Sequence, residues 1–245
     1  MDPSAQALAR SLELISVPTG TVRMGTPTHR IDDVVRSHAD LRLPRSFFAK
    51  EAPRHDVVVP SFEMGRTPVT VAHWRMFTKA TGVPSAAVDD RFPIDGLAWA
   101  EATRFCAWLT DAREGTFSLP TEEQWERAAR GSDAREYPWG MHFDAGCANT
   151  AEAAVGGRTA VGSYPRGASP FGILDMAGNV DEWTSSPYAP YPGAPPDVPV
   201  VESWAVDNHI TRGGGWTHHR DLARCARRHA VYPPAFGAGF RLVRT

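Results

Sequence analysis

Apolar positions recur with a helical period in three well-marked stretches of the first 131 residues, and the pattern then changes to short alternating runs broken by glycine and proline. Residues 1–12 read as a short opening helix. Leu12 to Pro18 reads as a strand that ends at the Thr19-Gly20 turn, and Val22 to Gly25 as its hairpin partner. Residues 26–52 are polar, mixed in charge and without a period. They are expected to form a long surface insertion, which at this length is functional or mobile. Strand character returns at His55–Met64. Val71, Trp74 and Phe77 then mark a helix stopped by Thr81-Gly82, and Ala98, Ala102, Phe105, Cys106 and Leu109 share one face of a second. A third helix follows Pro120, because Thr121-Glu122-Glu123-Gln124 is a capping box and Gly131 a terminator; it turns Trp125, Ala128 and Ala129 inward. No helix is expected after Tyr137-Pro138-Trp139-Gly140. Helices ahead of irregular β structure predict an α+β chain, and with no repeat or clean linker, residues 1–245 are expected to form one domain.

Composition narrows the function classes. A chain of 245 residues with 42% hydrophobic, 10% aromatic and 22% charged residues is globular, and large enough for a core without staples. Lys+Arg 26 against Asp+Glu 28 leaves a net charge of −2, so no nucleic-acid partner is expected. No apolar run approaches the roughly 18 residues of a membrane span, and the first residues lack a basic-then-apolar leader. No membrane partner and a cytoplasmic location are the expectations. Cys106, Cys147 and Cys225 are odd in number and lack metal spacing, which points to reduced, buried thiols. The 21 Gly, 21 Pro and 8 Trp favour turns and aromatic packing over long elements.

Several motifs, in order along nearly the whole chain, carry a resemblance. They include Pro53-Arg54-His55, Leu119-Pro120-Thr121-Glu122-Glu123-Gln124-Trp125-Glu126, Tyr137-Pro138-Trp139-Gly140 and Val161-Gly162-Ser163-Tyr164-Pro165. The strongest are Gly172-Ile173-Leu174-Asp175-Met176-Ala177-Gly178-Asn179-Val180-Asp181-Glu182-Trp183, Arg212-Gly213-Gly214-Gly215-Trp216 and Gly239-Phe240-Arg241. Together they resemble the formylglycine-generating enzyme, or sulfatase-modifying factor, family. The resemblance implies a C-type-lectin-like fold with little regular secondary structure. Its members include a copper-dependent oxidase, the C–S bond-forming domain of sulfoxide synthases, and modules without assigned chemistry, so the site has to decide.

In the copper oxidase two cysteines follow the glycine turn, and copper(I) favours such soft thiolates. Here Gly215 stands in place of the family's serine, His218 in place of the first cysteine, and no cysteine in place of the second. His218, His219 and Arg220 are the candidate catalytic neighbourhood, with imidazole suited to iron or oxidised copper. Adjacent residues of an extended segment face opposite ways, so one histidine at most is expected in the cleft. His55, His209 and His229 are expected to be structural. Trp216, Arg228 and Trp204 are candidates for binding a planar or carboxylated substrate. By resemblance, the Asp175 and Glu182 side chains and the Gly178 and Val180 carbonyls would hold a structural calcium ion, a hard cation that takes oxygen ligands. His29, Asp32, Asp33, His38 and Asp40 place polar groups on the 26–52 segment, which would fold over the cleft as a lid.

The leading expectation is an oxidative tailoring enzyme of this family that acts on a small molecule or peptide without the two-cysteine copper centre. The alternatives are a non-catalytic lectin-like binding module and a sulfoxide-synthase-type subunit; in the latter family iron comes from three histidines of a fused four-helix domain. A catalytic iron or copper is open at this point, as is the oligomeric state.

Overall fold

Local signals explain the longer helices of the computed structural model, which describes residues 2–82, 89–112, 114–195, 198, 209–230 and 238–245. Helix α1 (Pro3–Ser11) opens on Asp2, whose side chain accepts a hydrogen bond from the Ser4 amide. Helices α2 (Ile31–Ser37) and α3 (Arg45–Ala49) are short. Thr70 caps α4 (Val71–Thr81), which ends on left-handed Gly82. Glu101 reaches back to the Ala98 amide to start α5 (Trp99–Thr110), and Thr121 with Gln124 forms the reciprocal capping box of α6 (Glu122–Arg130).

The strands are β1 (Leu14–Val17), β2 (Gly20–Met24), β3 (His55–Val59), β4 (Phe62–Gly65) and β5 (Phe117–Ser118), then β6 (Asp181–Pro187), β7 (His209–Arg212), β8 (His229–Ala230), β9 (Ala238–Phe240) and β10 (Val243–Arg244). They build a β1-β4-β10-β5 sheet, a β2-β3 ribbon and a β8-β7-β6-β9 sheet. All pairs are antiparallel except β6 with β9. An α+β fold follows, and after α6 the described residues hold only 3-10 turns besides strands.

Two sequence expectations need correction. The first two strands do not form a hairpin: β1 pairs with β4, Ile15 opposite Met64, whereas β2 pairs with β3, Val22 opposite Val57. Pro18-Thr19 passes the chain from one sheet to the other, a tertiary choice that a local turn signal does not contain. The 26–52 segment is not without regular structure. Helices α2 and α3 bury Ile31, Val34, Phe48 and Ala52 in a small core of their own. Their apolar positions are too few per helix for a period to show.

The main core lies between α1, α4, α5 and the strand ends. Trp74, Phe77, Phe105 and Phe240 meet there, with Trp74 and Phe105 stacked at 5.7 Å between centroids. A second core gathers Met24, Met64, Trp125, Met176 and Val243 beneath α6. Each fully buried side chain of this size contributes on the order of 1.5–3 kcal/mol.

Buried arginines tie the segments together. Arg224 is fully buried and grips both oxygens of Glu51 at 2.8 Å, joining the 26–52 segment to the second half of the chain. Arg212 binds Glu122 and Glu126, each at 2.8 Å. Glu51→Ala would leave the Arg224 charge partly uncompensated in the interior. It should cost about 3–5 kcal/mol, read from the denaturant midpoint; a loss within the surface-substitution range would show that the pair does not hold the segment.

Candidate metal centre

The β8-β7-β6 order brings together three side chains that are far apart in sequence. Asp181 opens β6, and His229 opens β8 opposite Thr211 of β7, which in turn lies opposite Trp183 of β6. His218 comes from the turn after β7. Its amide donates to the Gly215 carbonyl at 2.9 Å and its carbonyl accepts from the Ala151 amide at 2.9 Å, so the backbone there is fixed at both ends. The turn needs glycine: Gly214 has φ +68, and a Cβ there would lie 2.8 Å from the Leu222 side chain.

Asp181 Oδ1 accepts from the Gly214 amide at 2.9 Å, which leaves Oδ2 to face the two imidazoles. His218 Nδ1 lies 3.4 Å from Oδ2 and His229 Nε2 3.8 Å from it. One ligand atom from each of the three residues lies within 4.8 Å of the others, the only such group of three among the described residues. Burial pushes the Asp181 carboxyl up from its ordinary value, opposed by His218 and the Gly214 amide. Burial also pushes the His229 imidazole well down, helped by His218, Arg227 and Lys50. A neutral imidazole beside a buried carboxylate that lacks full neutralisation is a donor set suited to a cation. Two histidines and one carboxylate match the preferences of non-haem iron(II). The Gly215 amide donates to His218 Nδ1 at 2.9 Å, so in the neutral ring Nε2 carries the proton, and a metal would take Nδ1 only by displacing that amide.

The structure separates the residues proposed from sequence. His218 faces the cluster. His219 turns away, more than half exposed, with Nδ1 3.2 Å from Glu152. Arg220 bonds Asp40 at 2.5 Å and takes Glu152 through its amide at 2.9 Å, beside the cluster rather than in it. Trp216 is half-buried, its amide held by the Asn179 carbonyl at 3.1 Å. Arg228 does not line an open cleft: it is 2% exposed, bonded to Glu122, Lys50 and Ala189 and set over the Tyr191 ring. The next residue, His229, takes the other face of the strand, which is why one is spent on the fold and the other reaches Asp181. Trp204 lies outside the described residues.

Asp181 and His229 escaped the sequence reading. Asp181 was legible only as part of a loop motif, and His229 had no carboxylate near it in sequence; the strand register supplies one. The 175–182 loop is also clearer in three dimensions. Asp175 is buried at φ +53, accepts from the Gly162 amide at 2.6 Å, and burial pushes its carboxyl up to about 6. The Gly178 carbonyl accepts from the Val180 amide at 2.9 Å. Glu182 is bound by Arg241 at 2.6 Å on each oxygen and by Trp125 Nε1 at 2.8 Å, so a guanidinium already neutralises it. Asn179 bonds the Thr159 backbone.

Comparison with known proteins adds three findings. The sulfatase-modifying factor enzyme 1-like domain family matches residues 2–245. The hercynine oxygenase of Mycolicibacterium thermoresistibile is 34% identical over 235 residues, covering 75% of this chain and 50% of that protein. The inactive C-alpha-formylglycine-generating enzyme 2 of Mus musculus is 28% identical over 184 residues, 68% of this chain and 53% of that protein. This chain therefore spans about half the length of these relatives. Among solved structures, PvdO from Pseudomonas aeruginosa superposes with a TM-score of 0.74 at 27% identity, over 95% of this chain and 94% of PvdO.

The cysteines sit in unlike surroundings. Cys225 is fully buried in the core around Trp125, and Cys147 lies beside Asp144 and Arg166. Burial pushes the Cys106 and Cys225 thiols up to about 12. Native protein at neutral pH should therefore leave these two unreacted with a disulfide reagent over minutes and expose all three on unfolding. Rapid native reaction of Cys225 would reopen a thiolate site.

Proposed function

The chain belongs to the sulfatase-modifying factor enzyme 1-like family, and on that premise we propose that it is an oxygen-using tailoring enzyme built around Asp181, His218 and His229. The observation that supports the reading is the meeting of a buried carboxylate with two imidazoles, one of them standing where the resemblance placed the first thiolate of a copper centre. Nitrogen and carboxylate ligands favour iron(II) over copper(I). Iron bound there would supply a one-electron redox centre able to react with dioxygen.

The surrounding residues have separate tasks. The Gly214 amide fixes the rotation of Asp181 so that Oδ2 points at both rings. Burial favours the neutral form of His229, the form in which an imidazole ligates a metal. His218 Nδ1 is held by the Gly215 amide and would exchange that bond for the metal, and Trp216 two residues before it would offer an aromatic face to a planar substrate. His219 and Arg220, set by Glu152 and Asp40, form a polar rim that would orient a charged substrate. The name of the hercynine oxygenases makes a small, polar, nitrogen-containing molecule the first substrate class to test. No helix among the described residues is long and apolar enough to cross a membrane, and the three unpaired cysteines suit a reducing compartment; both support a cytoplasmic location.

The test begins with the metal. Protein loaded anaerobically with iron(II), or with cobalt(II) as a spectroscopic probe, should bind one ion. Asp181→Asn, His218→Ala and His229→Ala should each weaken binding about 10–100-fold, the scale seen when the support of a metal site is damaged. Equal binding by all variants would remove the site. Oxygen uptake with hercynine then tests the activity; tight iron binding without uptake on any polar amine or thiol would favour the binding-module alternative.

Calcium belongs to this proposal as a structural ion of the 175–182 loop. Asp175 supports it, because its buried carboxylate is bonded to one amide and to no cation. The Glu182 half is already neutralised. Chelation should lower the unfolding midpoint, added calcium should restore it, and Asp175→Asn should abolish the difference; a midpoint indifferent to calcium in the parent protein rules the ion out.

A further inference from the structure

A cavity of about 350 Å³ lies between α2 and the 136–143 loop, and the Asp181 cluster is not part of it. Val34 of α2 and Tyr137, Met141 and Phe143 of the loop give it apolar walls. The arginines and carboxylates among its walls already have counterions. Asp33 has Arg30 and Arg36, Glu136 has Arg224, and Arg220 has Asp40 and Glu152. An anionic ligand would therefore find no uncommitted guanidinium here, and a cationic one no uncommitted carboxylate. Met141 is 60% exposed, so its flexible thioether side chain is free to adapt to a ligand.

Tyr137 adds a polar atom that the fold leaves unused. Its ring is fixed, stacked on Trp139 at 5.3 Å between centroids and tilted against Phe143 at 5.6 Å. Its backbone closes a tight turn, the amide donating to the Gly140 carbonyl at 2.8 Å and the carbonyl accepting from the Gly140 amide at 3.0 Å. The residue is 4% exposed, and its hydroxyl makes no hydrogen bond among the described residues. That oxygen is not sealed in the interior either; it keeps accessible surface on a residue that lines the cavity. Burial pushes the phenol up, opposed by Arg224 and assisted by Glu136, so it stays protonated and can donate. A nearly buried donor without an acceptor costs free energy comparable to a lost hydrogen bond, which a ligand's acceptor would recover.

We infer that this cavity binds a small uncharged molecule with an apolar body and a carbonyl-type acceptor, the body against Val34, Met141 and Phe143 and the acceptor on the Tyr137 hydroxyl. Apolar walls with a single well-placed polar group are the usual make-up of a small-molecule site, and the volume suits a ligand of about one ring. Helix α2 forms one wall, which gives the 26–52 segment a ligand-holding task distinct from covering the metal centre. The inference does not depend on iron, so its outcome and that of the metal test are separate.

Titration calorimetry of the metal-free protein with benzamide tests it, benzoate serving as the charged analogue and toluene as the analogue without an acceptor. Benzamide should bind more tightly than either. Tyr137→Phe should weaken benzamide about three- to tenfold, toward the level of toluene. The same substitution should leave the unfolding midpoint unchanged, because the lost hydroxyl has no partner in the fold. Met141→Glu, at an exposed position, should weaken benzamide and toluene alike by placing an unpaired charge beside the ligand. Benzoate binding as tightly as benzamide, benzamide binding unmoved by either substitution, a lower midpoint for Tyr137→Phe, or no binding of benzamide at millimolar concentration would overturn the inference.

Discussion

Irregular backbone is costly to bury, because every amide and carbonyl removed from water needs a partner that helices and sheets would otherwise provide. This chain meets the cost with buried guanidinium groups, each offering five donors in a rigid fork. Arg241 bonds the Gly65, Leu174 and Asp175 carbonyls as well as both oxygens of Glu182. Arg212 reaches the Cys225 carbonyl between Glu122 and Glu126, and Arg130 holds the Arg23 and Gly25 carbonyls. The glutamates neutralise the charge and the carbonyls use several of the remaining donors, while Arg130 Nε and Arg212 Nε stay without a partner. Such pairs are conditional: complete they are tolerated in the interior, but with one partner removed they leave a charge that nothing else there can solvate.

The same constraint positions the chemistry. Along β6, Asp181 and Glu182 are neighbours on opposite faces; Glu182 goes inward to Arg241 and Trp125, and Asp181 goes to the imidazoles. On the other side of β7 the pattern repeats, with Arg228 inward on Glu122 and His229 outward toward Asp181. Because the inward partners are locked by bidentate contacts, strand register has little freedom, and a one-residue slip would exchange a structural charge for a site residue on each strand. The precision of the cluster thus comes from ion pairs that take no part in it.

What the sequence could reveal divides along the same line. The capping box at Thr121, the spacing of Trp74 and Phe77 and the inward face of Ala102, Phe105 and Leu109 are local, and the helices appear where those signals lie. The partners of β1 and β2, the buried ends of the 26–52 segment and the Asp181–His229 approach depend on contacts over long separations. Glu51 illustrates the limit: in sequence it is one more charge in a polar stretch, and it becomes a core residue only because Arg224, 173 positions later, arrives beside it. The resemblance pointed to the 218 corner, but it could not indicate that an aspartate and a second histidine would complete it.

A scaffold held by arginines also explains how the family's site can change character without losing its fold. Thiolates at a copper centre need little support beyond their own softness, whereas a carboxylate and two imidazoles must be brought together against the cost of burying unneutralised charge. Here Asp181 has an amide from the glycine turn and neighbouring imidazoles, and the full guanidinium neutralisation given to Glu182 is withheld from it. Had an arginine reached Asp181 as Arg241 reaches Glu182, the corner would be satisfied and inert. Asp181, like Asp175, is a buried carboxylate that no guanidinium bonds, and on the reading proposed above its place beside two imidazoles is what would let this corner take a metal.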